Sequence, residues 1–189
     1  MDAAYELYGT LGYRNVSIKQ TCAQAHLTGR HFYEEFANSE ALLRAVYDRT
    51  VRRAFDTVVA DVAAAGPDLR PRAAAAISAF VHAMLDDPRA ARIACIEVVG
   101  VSEALERHRR KVLRTFADLL AEEARRMGLT GRVPQRKDPL PTALALVGGM
   151  YEVIVDWLQS DGRPPLEVIV EDMTDLWVAG AIGPPGRRT

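Results

Sequence analysis

Twenty residues near the N-terminus, Ser17 to Phe36 (SIKQTCAQAHLTGRHFYEEF), restrict what this chain can become more than any other stretch. Ser17 is a good helix N-cap, because its hydroxyl can satisfy an orphan backbone N–H, and a short helix is expected through Lys19, Gln20 and Cys22 to about Gln24. Ala25, His26 and Leu27 then make a turn. Thr28 caps a second helix, whose Phe32 and Phe36, four apart, share one apolar face. Two short helices about a tight turn form a helix-turn-helix, in which the second helix enters the major groove of double-stranded DNA. Gly29, Arg30, His31 and Tyr33 would then face bases and phosphates. Arg30 can pair bidentately with guanine and His31 can donate to a base edge. Ser17, Thr28 and Tyr33 can hold phosphates, with Lys19 beside them. The competing reading is a set of exposed polar residues on a small bundle.

The longer run GYRNVSIKQTCAQAHLTGRHFYEEFANSEALL, with Gly12-Tyr13 ahead of the motif and Phe36, Asn38, Glu40, Leu42 and Leu43 behind it, resembles the DNA-binding domain of TetR-type transcriptional regulators. The resemblance implies an all-α homodimer. Residues 1–44 would be a three-helix domain on a palindromic operator; residues 45–189 would form a helical domain that dimerises and binds a small-molecule effector. It also implies a repressor released by a small, largely apolar ligand, and a connecting helix that moves when the ligand binds. Four positions depart from the family pattern. Thr21-Cys22 stands where an Ile-Ala pair is usual, His26 where the turn usually has Gly, and Ser39 where a phosphate-contacting cation is usual. If the turn needs positive φ, His tolerates it less well than Gly. The match begins almost at Met1 and includes no basic arm, which points to Met1 as an internal methionine or a late start.

Composition supports the class and complicates the partner. Half of the 189 residues are apolar, enough for a real core, and runs of alternating β-branched residues are absent. Lysine is confined to Lys19, Lys111 and Lys137, which with the alanine load suggests a GC-rich bacterial genome. The formal net charge is −1. From Met1 to Arg44 the cations Arg14, Lys19, Arg30 and Arg44 meet the anions Asp2, Glu6, Glu34, Glu35 and Glu40, so the basic footprint usual for DNA binding is missing from the sum. Cys22 and Cys95 lie far apart without CxxC spacing, which argues against a zinc site or disulfide and fits a reduced, cytoplasmic setting. Leu140 to Tyr151, the most apolar stretch, reads as a buried helix too short for a bilayer.

Helices are expected over Ala3–Leu11, from Asn38 or Ser39 to about Ala65, and over Arg72–Leu85 and Pro88–Val99. A long one starts at Ser102; after a linker over Gly128–Pro139, helices over Thr142–Leu158 and from Leu166 through Trp177 close the chain, ahead of a disordered tail, Gly183–Thr189. The last two make an apolar hairpin that invites a partner. By resemblance they pair with their symmetry mates as a four-helix bundle. The family's cavity lies among helices that here carry Phe80, Met84, Cys95, Glu97, Phe116, Met150, Tyr151 and Trp157, although such a set at helical spacing also describes ordinary core. Glu97 would need a partner if buried. His82 and His108 lack partners at ligand spacing, so neither a metal nor a cofactor is expected, and no nucleophile, base and orienter set suggests an enzyme. The charged run Glu106–Lys111 reads as a solvated face. The rival reading is a ligand- or partner-binding helical dimer with weakened DNA recognition.

Overall fold

A computed structural model describes residues 1–127 and 138–182, with side chains through Gly180. Among these there are nine α-helices and no strand. The order is α1 (Asp2–Leu11), a 3-10 turn (Tyr13–Asn15), α2 (Ile18–Gln24), α3 (Gly29–Glu35), α4 (Ser39–Ala64) and α5 (Leu69–Leu85). Then come α6 (Pro88–Arg92), a π turn (Ile93–Glu97), α7 (Glu103–Arg126), α8 (Leu140–Gln159) and α9 (Leu166–Ile182). The tail Gly183–Thr189 and most of the expected linker lie outside the described residues.

Local chemistry explains most boundaries. Gly12, at φ 87°, ends α1 in a conformation that strains any residue with a Cβ. Asn38 is the cap of α4: its Oδ1 accepts the Ala41 N–H at 2.8 Å. The Ser102 hydroxyl does the same for Leu105 at 3.1 Å, opening α7. Asp87 caps α6 ahead of Pro88, whose missing N–H costs nothing in a first turn.

Two expectations need correction. Pro88–Val99 is not one α-helix: α6 lasts five residues and passes into the π turn, which ends at Glu97, and a short turn follows to Gly100 at φ 67°. The widened turn lets the Cys95 carbonyl accept a hydrogen bond from the Tyr151 hydroxyl on α8. Nor is the apolar stretch from Leu140 a buried helix. It belongs to a 20-residue α8 that is long and apolar enough to cross a membrane, and only 17% of its apolar window is covered by the rest of the chain. Leu144 on α8 and Val168 and Leu176 on α9 face outward.

One apolar core runs from Ala4 and Tyr8 on α1, through Cys22 and Phe32 of the helix-turn-helix and Leu43, Val46 and Tyr47 of α4, to Ile154, Met173 and Trp177 near the C-terminus. Packing therefore does not break at residue 44, which lies inside α4. α1 packs closely on α6, where a Cβ added to Gly9 would sit 2.4 Å from Arg89 Cβ and 3.1 Å from its Cα. Tyr5 on α1 also donates to Asp87 at 2.9 Å, and the Arg89 guanidinium beside Asp87 holds that carboxyl below its usual range. Gly9→Ala is expected to push α1 off α6. The overpacking outweighs alanine's better helix propensity, so thermal or urea unfolding should show a loss of about 1–2 kcal/mol.

Candidate functional site

The helix-turn-helix is built from its caps. Ser17 and Gln20 make a reciprocal box: Ser17 Oγ accepts the Gln20 N–H at 3.2 Å and Gln20 Oε1 accepts the Ser17 N–H at 2.8 Å. The Thr21 hydroxyl, buried where an apolar residue is usual, donates back to the Ser17 carbonyl at 3.2 Å. His26 occupies the left-handed region at φ 54°, and the Leu27 N–H closes the turn onto the Cys22 carbonyl at 2.9 Å. The turn thus needs positive φ, and this chain supplies it with an imidazole. Thr28 stands at the N-cap of α3, but its hydroxyl bonds His31 Nδ1 at 2.9 Å and makes no cap bond.

Phe32 is buried and stacks edge-on against Tyr33 at 5.2 Å, fixing α3 on the core. Ser17, Lys19, Thr28, Gly29, Arg30, His31 and Tyr33 are all exposed. Tyr33, 62% exposed, is an aromatic ring held out into solvent. A Cβ on Gly29 would meet nothing within 4 Å, so this position leaves room for close approach. Arg30 pairs with Glu34 at 3.0 Å on the helix surface, a contact exposed enough to exchange for a stronger one at little cost.

Geometry also resolves the charge sum. Asp2 pairs with Arg49 at 2.5 Å, Glu6 pairs with Arg89, and Glu40 accepts from the Ser102 hydroxyl at 2.6 Å. Three of the five N-terminal anions are thus turned toward later elements and away from the α3 surface. Ser39, where a cation is usual, hydrogen-bonds the Tyr13 hydroxyl at 3.1 Å.

The second candidate site is a cavity of about 110 Å³ among α4, α5, the π turn, α7, α8 and α9. Phe80, Met84, Cys95, Phe116, Met150 and Tyr151 line it, joined by Val51, Val58, Ile77, Leu120, Met173 and Trp177. Phe116 meets Phe80 edge-on at 5.4 Å, and Phe55 meets Phe116 at 5.3 Å, giving one wall an aromatic frame. Polar groups gather toward two places. Arg72 donates through Nε and Nη2 to Glu123 at 3.2 and 2.6 Å; elsewhere Tyr47, Cys95, Arg109 and Tyr151 cluster. Sequence reasoning missed Tyr47, Arg72, Arg109 and Glu123, since a tyrosine or an ion pair facing a cavity has no periodic signal of its own.

Glu97 and Trp157 stand apart from this cavity, which corrects their expected place. The Trp157 indole donates to the Pro164 carbonyl at 2.9 Å under the Arg163 guanidinium, where it ties the α8–α9 turn. Glu97 faces the N-terminal helices. Its Oε2 accepts the Tyr13 N–H at 2.6 Å and its Oε1 accepts Arg92 Nε at 2.9 Å, while Arg92 Nη1 donates to the Thr10 carbonyl at 2.8 Å. The carboxylate expected to need a partner therefore has two. His82 pairs with Asp86 at 2.8 Å on the surface and His108 pairs with Asp48; no cluster of three metal-ligating side chains occurs among the described residues.

An exposed reading helix set by a capped turn, joined through one core to a larger helical body that encloses an apolar cavity, defines a DNA-binding transcriptional regulator. A family model described as bacterial regulatory proteins of the tetR family matches residues 1–46, and one described as the tetracyclin repressor-like C-terminal domain matches residues 66–181. The chain belongs to the TetR family. No curated protein matches it in sequence. Among solved structures, it is similar to the fatty acid degradation regulator FadR from Bacillus halodurans, with a TM-score of 0.82 at 20% identity over 95% of this chain and 96% of that one. FadR from Bacillus subtilis in complex with stearoyl-CoA gives 0.82 at 18% over 95% and 96%. A TetR/AcrR regulator from Thermobifida fusca gives 0.70 at 23% over 95% and 94%. At these identities the likeness is one of fold.

Lys19 and Arg30 are the exposed cations of the two short helices, so a dimer neutralises few phosphates. The logarithm of operator affinity is expected to fall against the logarithm of salt concentration with a slope of about −4, and Lys19→Ala to make that slope shallower by about 2. Fluorescence anisotropy across a salt series measures both.

Proposed function

We propose that this protein is a cytoplasmic repressor that binds a palindromic operator as a homodimer and leaves it when a small, largely apolar molecule fills the cavity. Residues 1–44 serve as the reading unit and residues 45–189 as the ligand-binding and dimerisation unit, joined within α4. Ser17, Thr28 and Tyr33 hold phosphates beside Lys19, while Gly29, Arg30 and His31 meet base edges. Dimerisation through α8 and α9 would cover the outward Leu144, Val168 and Leu176, and its two-fold axis would present two α3 helices to half-sites one turn, roughly 34 Å, apart.

A chain of hydrogen bonds carries this reading. Tyr151, in the cavity wall, donates to the Cys95 carbonyl; Cys95 belongs to the π turn; the same turn carries Glu97, which holds the Tyr13 N–H and, through Arg92, the end of α1. A ligand that shifts Tyr151 therefore works on the seat of the reading helices. In energetic terms the ligand favours a dimer whose α3 helices no longer match the operator, and a coupling of about 1–3 kcal/mol changes operator affinity by about 5- to 150-fold. The cavity runs beside α4 from Tyr47 to Val62, about 22 Å of helix, between aliphatic and aromatic walls. Such a shape suits an elongated apolar body such as a long acyl chain, in keeping with the stearoyl-CoA bound to the Bacillus subtilis FadR of the same fold.

Selection of duplexes from a random pool, followed by titration with stearoyl-CoA, tests the reading. A palindrome should be enriched, and the ligand should lower its affinity at least fivefold. Glu97→Gln, which removes the charge shared with Arg92, is expected to leave stearoyl-CoA binding intact and to cut the ligand's effect on DNA to less than about half of its free energy. A folded dimer that enriches no sequence would instead support the rival reading, a ligand-binding dimer with weakened DNA recognition, in line with the uncharged Ser39 at a position where a cation is usual.

A further inference from the structure

The cavity has two polar regions, and they differ in what they still need. At the first, Glu123 accepts from Arg72 through one oxygen and from Arg126 Nη1 at 3.3 Å through the other, while Arg72 Nη1 reaches the Ala65 carbonyl at 3.4 Å. Its charges and its donors are matched within the protein. At the second, donors outnumber acceptors. Tyr47 is 2% exposed, lines the cavity and stacks edge-on against His108 at 6.0 Å, yet its hydroxyl hydrogen-bonds no described residue. No fully enclosed side-chain oxygen or nitrogen among the described residues lacks a partner, so this hydroxyl must reach open space. The open space beside so buried a residue is the cavity. Burial also holds the hydroxyl protonated, well above its ordinary range, so it remains a donor.

Arg109 stands beside it. Its Nε and Nη2 donate to Glu106 Oε2 at 3.2 and 3.1 Å and its guanidinium lies 5.4 Å from the Tyr151 ring centre, leaving Nη1 without a described acceptor. Glu106 already balances the Arg109 charge and also accepts the Gly100 N–H at 2.9 Å. A second anion buried here would lack a counter-charge, whereas a neutral oxygen would meet the Tyr47 hydroxyl, a donor with no partner among the described residues.

Resting on the reading of the cavity as an effector site, we propose that the effector's apolar body carries a neutral carbonyl oxygen, as in an ester, thioester or ketone, seated at the Tyr47 hydroxyl beside Arg109, and that Tyr47 decides which apolar molecules are accepted. The probes that isolate this are dodecane, 2-dodecanone and dodecanoate, equal in carbon number and different in their oxygen. Binding is followed by the fluorescence of Trp177 in the cavity wall, with Trp157→Phe leaving it as sole reporter. The ketone should bind about fivefold more tightly than the alkane, the net effect of one good buried hydrogen bond, and more tightly than the carboxylate. Tyr47→Phe should abolish the ketone's advantage while keeping dodecane affinity, which also reports that the cavity is intact. Equal affinity for alkane and ketone, an unchanged preference in Tyr47→Phe, or a dodecanoate that binds best overturns this assignment and leaves the cavity's role standing. Failure of all three probes to bind overturns the effector-site reading and this inference with it.

Discussion

The grip of Glu97 on the N-terminal helices is the contact on which the rest of the arrangement depends. One carboxylate accepts a backbone N–H from Tyr13 and a guanidinium N–H from Arg92, and Arg92 extends the hold to the Thr10 carbonyl. Charge-assisted bonds to a backbone group are stronger and more directional than apolar contact. They fix the orientation of α1, and with it the motif packed on α1. Gly9 brings α1 against Arg89 and Gly12 allows the reversal that presents the Tyr13 N–H, so the joint is specified at the level of backbone shape as well as charge.

This joint shares a single π turn with the cavity. A π turn adds a residue to the helical ring and frees carbonyl geometry that a regular helix would use internally. Here the Cys95 carbonyl is spent on the Tyr151 hydroxyl, two residues before Glu97. Cavity and reading head are therefore separated by a few covalent bonds and three hydrogen bonds, and no long lever is required. The bistability that the proposed ligand control demands can reside in one small element and not in the whole helical body.

The departures from the family pattern each have a physical answer. His26 adopts the left-handed conformation that a glycine would take with less strain. Thr21 buries its hydroxyl by returning it to the Ser17 carbonyl. Ser39 serves the Tyr13 hydroxyl. The unfavourable charge sum of the first 44 residues loses its force once Asp2, Glu6 and Glu40 are seen to engage Arg49, Arg89 and Ser102. A sum counts charges without direction, and DNA meets only those on one face.

Capping and periodicity are local, so the helix-turn-helix, the Asn38 and Ser102 helix starts and the all-α class could be read from residues a few positions apart. The resemblance carried by Gly12 to Leu43 was likewise legible because that motif is continuous in the chain. The cavity was legible only in part. Phe80, Met84, Phe116 and Tyr151 have the spacing of any core, and the resemblance that pointed to the cavity through its helices put Glu97 and Trp157 there too, whereas the π turn aims Glu97 at the N-terminal helices and the α8–α9 turn claims Trp157. Nothing in the pattern distinguished α8 as a covered helix from α8 as an outward face, since apolar residues read alike whatever covers them. The amino-acid sequence alone determined the local helices and the reading motif through short-range hydrogen bonding. Only the tertiary structure decided which side chains share the cavity and that Glu97 binds Tyr13, because those partners lie 84 residues apart and meet only when α1 packs on α6.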